Sequence, residues 1–373
     1  MTNEILRKIA DTLIERKAAT AELSISRGLA GMSLFLFQYS KLLKDEYYYN
    51  EAFEILDNIH TRLSDPSKKM QDEQLPDIGW LFLLLLKEDL IDIDADEVLQ
   101  SIDTAMYNKC VYSSFKQLGD GYLLKIALYF HSRHLQVKSN HHKVKIEEAL
   151  IHIIDDIRHL YTPAIKRRVF DVWEKTDISS IVELHHLIGT INCICIVLSK
   201  IYQLEIGRQF ISNVLFELYA DLEILVLQNQ HFHIKAHDDY YIYNSLAETM
   251  LGILSIGPII KSVLSSEYIS LLKYREGSGI YSMKPTYFIG NLVSMISCLR
   301  QCNHKDIFTN EIQRLVLTLF KSIQQNKPGS LNAKEGLPNL GLREGLSGAS
   351  MMFLLDGQEP TFYMEELLVF LKN

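Results

Sequence analysis

The stretch "SRGLAGMSLFLFQYSKLL", residues 26–43, decides the fold class of this chain. Gly28 and Gly31 stand three residues apart, directly before a run that is apolar on almost every face of a helix. A helix that is apolar all round must be enclosed by other elements, and small residues at i and i+3 let another backbone come close. The stretch therefore predicts a buried helix with a close contact near its N-terminal end.

The same motif recurs along the chain. Residues 345–348, Gly-Leu-Ser-Gly, repeat the form of residues 28–31 and precede another apolar run. Weaker copies lie between them, and the fourth motif position falls at residues 31, 77, 119, 189, 247, 293 and 348. Each interval holds two helices of usual length, and amphipathic segments alternate with the apolar ones. The glycines that carry the copies are Gly28, Gly31, Gly119, Gly189, Gly290, Gly345 and Gly348.

This repeat predicts an all-α fold in which residues 1–373 form a single domain. The architecture that fits it is an α/α toroid (barrel) of seven helix-pair repeats. The apolar helices would form an inner ring and the amphipathic helices an outer ring, because only the outer helices carry a face suited to water.

Composition and charge exclude several classes of partner. The net charge of −8 argues against general binding to nucleic acid or to anionic lipid. The most apolar run, residues 78–86, has nine residues and is too short to span a bilayer. The charged N-terminal segment lacks the apolar core of a signal peptide, and five cysteines without a CxxC motif are typical of reduced thiols. We therefore expect a cytoplasmic protein with no membrane span and no nucleic-acid partner.

At this level of detail the chain resembles the lanthionine synthetase C-like family over roughly residues 20–356. The resemblance is carried by "RGLAGMSLFLFQYSKLL", "IGWLFLLLLKEDLIDIDADEVLQSID", "ELHHLIGTINCICIVLSKIY" and "GLREGLSGASMMFLL". It implies a seven-repeat toroid that closes thioether rings in a ribosomally made precursor peptide, beside a separate dehydratase. It also implies a zinc ion, held by two cysteines and a histidine, that activates a peptide thiol.

The positions of the zinc ligands depart from the family pattern. The resemblance places the first ligand at Ile242 and the other two at Phe288 and Ile289, directly before Gly290. None of these three side chains can coordinate a metal. We therefore expect no zinc and no other cofactor, and a degenerate site in place of the Lewis acid.

Two groups of histidines are the remaining candidates for chemistry. His185, in "ELHHLIG", falls where the family carries a histidine that acts as acid or base, and an imidazole can carry a proton near neutral pH. His231, His233 and His237 precede the degenerate fifth repeat, and the last two have the i, i+4 spacing of metal ligands on a helix. A solvated, histidine-rich segment without metal fits the same pattern.

Three functions remain open from the sequence. The first is a zinc-free lanthionine synthetase C-like protein, a pseudoenzyme that binds the precursor peptide or the dehydratase as a scaffold or accessory subunit. The second is an active thioether-forming cyclase, or a related peptide-modifying enzyme, that uses His185 and a displaced metal. The third is an unrelated α/α-toroid enzyme acting on sugars or isoprenoids. The segment with Asp155, Asp156 and His159 loosely resembles the acidic magnesium–diphosphate sites of prenyl-transfer enzymes, but it fits a solvated helix face better and supplies no convincing carboxylate pair.

Overall fold

A computed structural model describes residues 2–64, 72–112, 120–173 and 178–235, together with residues 259, 366, 369 and 370. Within these residues the secondary structure is helical and no strand occurs, which confirms the predicted all-α class. The helices are α1 (Thr2–Arg16), α2 (Leu29–Leu43), α3 (Glu46–Ser64), α4 (Leu75–Lys87), α5 (Ala95–Val98), α6 (Gln100–Tyr112), α7 (Asp120–Gln136), α8 (Asn140–Asp156), α9 (Thr162–Trp173), α10 (Ile178–Gln203) and α11 (Arg208–Lys235). Short 3₁₀ turns cover Lys17–Ala19 and Asp72–Gln74.

Apolar and amphipathic helices alternate along the described chain. The apolar helices α2, α4, α7 and α10 each contain a long unbroken run of buried residues. The amphipathic elements that follow them are α3, then α5 with α6, then α8 with α9, and finally α11. Their buried and exposed residues alternate with the helical period, as expected for helices with one face in water.

The apolar helices pack against one another in chain order. Helix α2 contacts α4, α4 contacts α7, and α7 contacts α10. Each apolar helix also contacts its amphipathic partner, and the partners α6 and α8 contact each other. Four consecutive helix pairs thus form an inner row and an outer row. Closure of these rows into a ring of seven pairs stays a prediction.

Local sequence explains where the inner helices begin and end. Pro76 occupies the first turn of α4, where a backbone N–H would have no partner within the helix. The carboxylate of Asp77, in the same turn, interacts favourably with the positive end of the helix dipole. Helix α2 ends at Lys44, which adopts a left-handed conformation and donates its N–H to the Ser40 carbonyl.

The fourth pair differs from the motif pattern in a way that the sequence did not predict. Gly189 lies eleven residues inside α10, whereas Gly31 and Asp77 lie in the first turn of their helices. Residues 178–188 contain no proline or glycine, so nothing stops the helix from extending toward its N-terminus. Within α10, residues His186–Gln203 are long and apolar enough to cross a membrane, but 78% of that window is buried inside the protein.

Helix α8 continues into α9 through a π-helical segment, Ile157–Tyr161. Pro163 explains this segment, because it cannot donate an N–H to the preceding turn and its ring crowds the carbonyl four residues earlier. The outer element of the third pair therefore runs without a break from residue 140 to residue 173. Together with the long α10, it accounts for the widest interval between motif copies.

Candidate functional site

The motif positions that the structure describes lie at the N-terminal parts of α2 and α4 and inside α10. Gly28 precedes α2, Gly31 lies buried in its first turn, and Gly189 is buried within α10. Gly119 comes directly before α7 but outside the described residues. The other motif glycines and the predicted degenerate ligand positions also lie outside them: Gly290, Gly345, Gly348, Ile242, Phe288 and Ile289.

Gly28 is required by a backbone contact within its own chain segment. The Leu29 and Ala30 amides donate hydrogen bonds to the carbonyls of Glu22 and Leu23, at 3.0 and 3.3 Å. A Cβ atom at residue 28 would lie 2.3 Å from the Glu22 carbonyl oxygen. The partner that comes close is thus the loop of residues 22–28, which covers the start of α2, rather than a neighbouring inner helix.

A buried ion pair joins this loop to two inner helices. Lys125 Nζ on α7 lies 3.0 Å from Asp77 Oδ1 on α4, and the Ile25 amide donates to Asp77 Oδ2 at 2.9 Å. Asp77 is fully buried and Lys125 is 5% exposed. Burial raises the pKa of the Asp77 carboxyl, while the Lys125 ammonium and the Ile25 amide oppose that rise. Because both groups are almost fully buried, this pair holds three elements together and is not suited to proton transfer with a substrate.

The C-terminal residues pack beside the same pair. The Trp80 indole donates a hydrogen bond of 2.9 Å to Glu366 Oε2, and the Trp80 and Phe370 rings lie 4.7 Å apart between centroids. Lys125 Nζ lies 5.9 Å from the centre of the Phe370 ring. Trp80, Glu366 and Phe370 are all buried. Glu366 and Phe370 therefore contribute to the packing around α4 and α7.

A second buried cation, Arg133, ties α7 to the outer elements α5 and α6. Its guanidinium lies 2.7 Å from Asp96 Oδ1 and 3.0 Å from Asp103 Oδ2, and the Tyr129 hydroxyl donates to Asp103 Oδ1 at 2.5 Å. Burial raises the pKa of Asp103 despite the nearby Arg133 charge. At the less buried Asp96, desolvation acts in the same direction, but the Arg133 hydrogen bond and charge outweigh it and lower the pKa.

The histidines singled out by the sequence cannot be assembled into a site from the described atoms. His185 belongs to α10, four residues before Gly189, and His231 and His233 belong to α11. The side chains of these three histidines, and all of His237, lie outside the part that the structure describes. His159 lies 3.3 Å from Asp155 with both side chains largely exposed, as expected for a solvated helix face.

The described thiols are unsuited to metal binding or nucleophilic attack. Cys110, Cys193 and Cys195 are buried and form no disulfide. Burial raises the pKa of the Cys110 thiol to about 12, with a further contribution from Asp156, and it raises the pKa of Cys195 as well. No group of three or more His, Cys, Asp or Glu residues that could hold a metal occurs in the described ranges.

The sequence pattern marked Asp77 as a motif position, but it did not predict the buried contacts of Gly79, Lys125 and Arg133. Gly79 packs directly against the Tyr129 ring, which brings α4 and α7 together. One sequence feature could have indicated Lys125: it is a single cation within the apolar run "YLLKIALYF". Such a residue is almost never buried without a partner of opposite charge.

Compared with known proteins, the chain matches no family model, no curated protein and no solved structure.

Proposed function

We propose that this chain is a zinc-free lanthionine synthetase C-like protein that acts as a scaffold or accessory subunit in the biosynthesis of a ribosomally made, modified peptide. The observation that carries the proposal is the replacement of all three zinc-ligand positions by apolar side chains, Ile242, Phe288 and Ile289, in a chain that keeps the repeated motif. Its partners would be the precursor peptide, the dehydratase of the same pathway, or both.

The helix packing supports this proposal at the level of architecture. A row of apolar helices backed by a row of amphipathic helices is what the first four repeats of an α/α toroid require. The close contact at Gly28 and the buried pair of Asp77 and Lys125 hold the N-terminal parts of α2, α4 and α7 together. A preformed surface at this end would suit peptide binding, because a partner that binds it loses little additional conformational entropy.

The first test is the metal content of the purified full-length protein. We expect far less than one zinc per chain, and no loss of free thiol when the protein is incubated with a dehydrated, cysteine-containing peptide. Stoichiometric zinc or rapid thiol loss would reject the scaffold function in favour of an active cyclase that uses His185. Binding of a precursor peptide or dehydratase of the proposed pathway, measured by calorimetry, is the positive result that we expect.

A variant in which the three zinc ligands are restored tests the assignment of their positions. The triple substitution Ile242→Cys, Phe288→Cys and Ile289→His places two thiolates and one imidazole at the family positions. If those positions converge as the resemblance implies, we expect this variant to bind one zinc per chain while the unmodified protein does not. A triple variant that folds but binds no zinc would contradict the assignment of the three positions.

A further inference from the structure

A groove runs between the outer elements of the third and fourth pairs. Contacts of Arg158 and Lys166 across it join these elements. The Arg158 guanidinium of the π-helical segment lies 4.9 Å from the centre of the Phe210 ring on α11, and Lys166 Nζ on α9 lies 2.7 Å from Asp221 Oδ2. Since Phe210 pairs with Arg158 and Asp221 with Lys166, the two outer elements run in the same direction. Between these two bridges the helices leave a pocket of about 660 Å³.

The pocket has a buried side and an exposed side. Thr162 and Val214 line it and are buried, whereas Phe216 lines it with 60% of its surface exposed. His159, Thr162, Pro163 and Lys166 line the pocket from the side of the π-helical segment and α9. The volume lies in the range of pockets that hold small organic ligands.

Two donors in this pocket lack an acceptor among the residues that the structure describes. The Thr162 side-chain oxygen is buried, with the residue 4% exposed, and has no hydrogen-bond partner in that part of the chain. Leaving a buried hydroxyl unpaired costs about 1–3 kcal/mol. Arg158 stacks on Phe210 but forms no hydrogen bond or ion pair within the described ranges, and stacking leaves the N–H groups at the edge of its guanidinium open.

The charges around the pocket favour an anion next to Arg158. Lys166 is already neutralised, since its ammonium lies 2.7 Å from Asp221 and 3.7 Å from Glu217. The Arg158 charge has no such carboxylate partner among the described residues. A guanidinium with free N–H groups matches a phosphate or carboxylate group, which accepts two parallel hydrogen bonds from it. The apolar surfaces of Pro163, Val214 and Phe216 match a non-polar body attached to that group.

We propose that this pocket binds a small molecule that carries an oxyanion group on an apolar or aromatic body. Arg158 and Thr162 donate hydrogen bonds to the oxyanion, and the body of the ligand packs on Phe216. The π-helical segment places Arg158 at the pocket, which agrees with the frequent occurrence of such segments at functional sites. The proposal does not depend on the proposed function or on the predicted zinc-ligand positions.

The test is calorimetric titration of the full-length protein with phenyl phosphate, benzoate, inorganic phosphate and benzyl alcohol. We expect binding of one or both aromatic anions, weaker binding of inorganic phosphate and none of the neutral alcohol. The stronger of the two aromatic anions identifies the oxyanion as a phosphate or a carboxylate. If neither aromatic anion binds at millimolar concentration, or if the alcohol binds equally well, the proposal is overturned.

Two variants and a matched control assign the binding to the pocket. Arg158→Gln should lower the affinity for the anion at least about tenfold. Thr162→Val, which keeps the shape of the side chain, should lower it severalfold. Arg168→Gln removes one positive charge from the same continuous outer element, at a residue of α9 that pairs with Glu183 on α10, and should leave affinity unchanged. Equal weakening by Arg158→Gln and Arg168→Gln would show non-specific attraction and contradict the proposal, as would unchanged affinity in Thr162→Val. The thermal melting curve of each variant verifies that it is folded.

Discussion

At Gly79, a Cβ atom would lie 2.3 Å from Cε2 of the Tyr129 ring. That ring is buried and its hydroxyl is held by Asp103, so it has no free space to move into. We expect Gly79→Ala to lower the free energy of unfolding by about 1–3 kcal/mol, because the added methyl group forces α4 and α7 apart. Chemical denaturation followed by circular dichroism measures the change.

The matched control for this substitution is Gly121→Ala. Gly121 is partly exposed in the first turn of α7, where alanine is a better helix former than glycine. We expect this control to be neutral or stabilising by up to about 1 kcal/mol. Equal stability of the Gly79→Ala variant and the unmodified protein would show that the contact with Tyr129 is not tight.

His131 on α7 makes stability sensitive to acid. Burial lowers the pKa of this imidazole to about 3, and the charges of Lys200, Lys87 and His134 add to that effect. In the unfolded chain His131 takes up its proton near its ordinary value of 6.5, whereas the folded state excludes it until about pH 3. The contribution of His131 to the free energy of unfolding is therefore largest above pH 6.5 and falls by about 1.4 kcal/mol per pH unit from there down to about pH 3.

The substitution His131→Leu removes this proton uptake and tests the sign of the effect. We expect the variant to lose less stability than the unmodified protein between pH 7 and pH 4.5, as measured by denaturation at each pH. His152→Asn, at an exposed histidine of α8, serves as the control and should follow the unmodified protein. Parallel curves for His131→Leu and the unmodified protein would contradict the low pKa.

At the scale of elements, the pair of Asp77 and Lys125 holds the loop of residues 22–28, α4 and α7 together. We expect Asp77→Ala or Lys125→Met alone to cost about 3–5 kcal/mol, because each leaves one charge buried without its partner. The double variant should cost clearly less than the sum of the two single variants, since it removes both charges at once. Additive costs in this double-mutant cycle would mean that the two groups do not interact.

The sequence predicted which segments are helical and buried better than it predicted where the helices begin and end. Apolar runs such as residues 29–40 are buried as expected, because a helix without a polar face has no stable place in water. The start of α10 and the unbroken passage from α8 to α9 were not predicted. Helix ends depend on the absence of stop signals, and a proline such as Pro163 can distort a helix instead of ending it.

At the scale of the whole molecule, the ionic contacts were the least predictable part of the site. Arg133 binds Asp96 and Asp103, which lie 37 and 30 residues earlier in the chain. A cation inside a buried run predicts that a partner exists, but only the packing of α5 and α6 against α7 selects which carboxylates serve. The seven-fold toroid and the loss of zinc depend on residues beyond α11 and remain predictions.

The contact of Phe370 with Trp80 should make stability depend on a residue near the C-terminal end of the chain. We expect Phe370→Ala to cost about 3–5 kcal/mol and to shift Trp80 fluorescence to longer wavelength, because water replaces the lost ring. Phe53→Ala, at an aromatic residue of α3 that is 48% exposed, should cost much less and leave the emission unchanged. An unchanged spectrum in Phe370→Ala would show that the C-terminal segment does not cover Trp80.

The same contact has a consequence during synthesis. Trp80 and its acceptor Glu366 are separated by 286 residues, so the indole leaves the ribosome long before the groups that cover it. Until then, part of the apolar surface of the first helix pairs stays exposed to solvent. Nascent chains in such a state tend to aggregate or to bind chaperones. A chain that stops before residue 366 would therefore carry its structural defect around Trp80, far from the point of truncation.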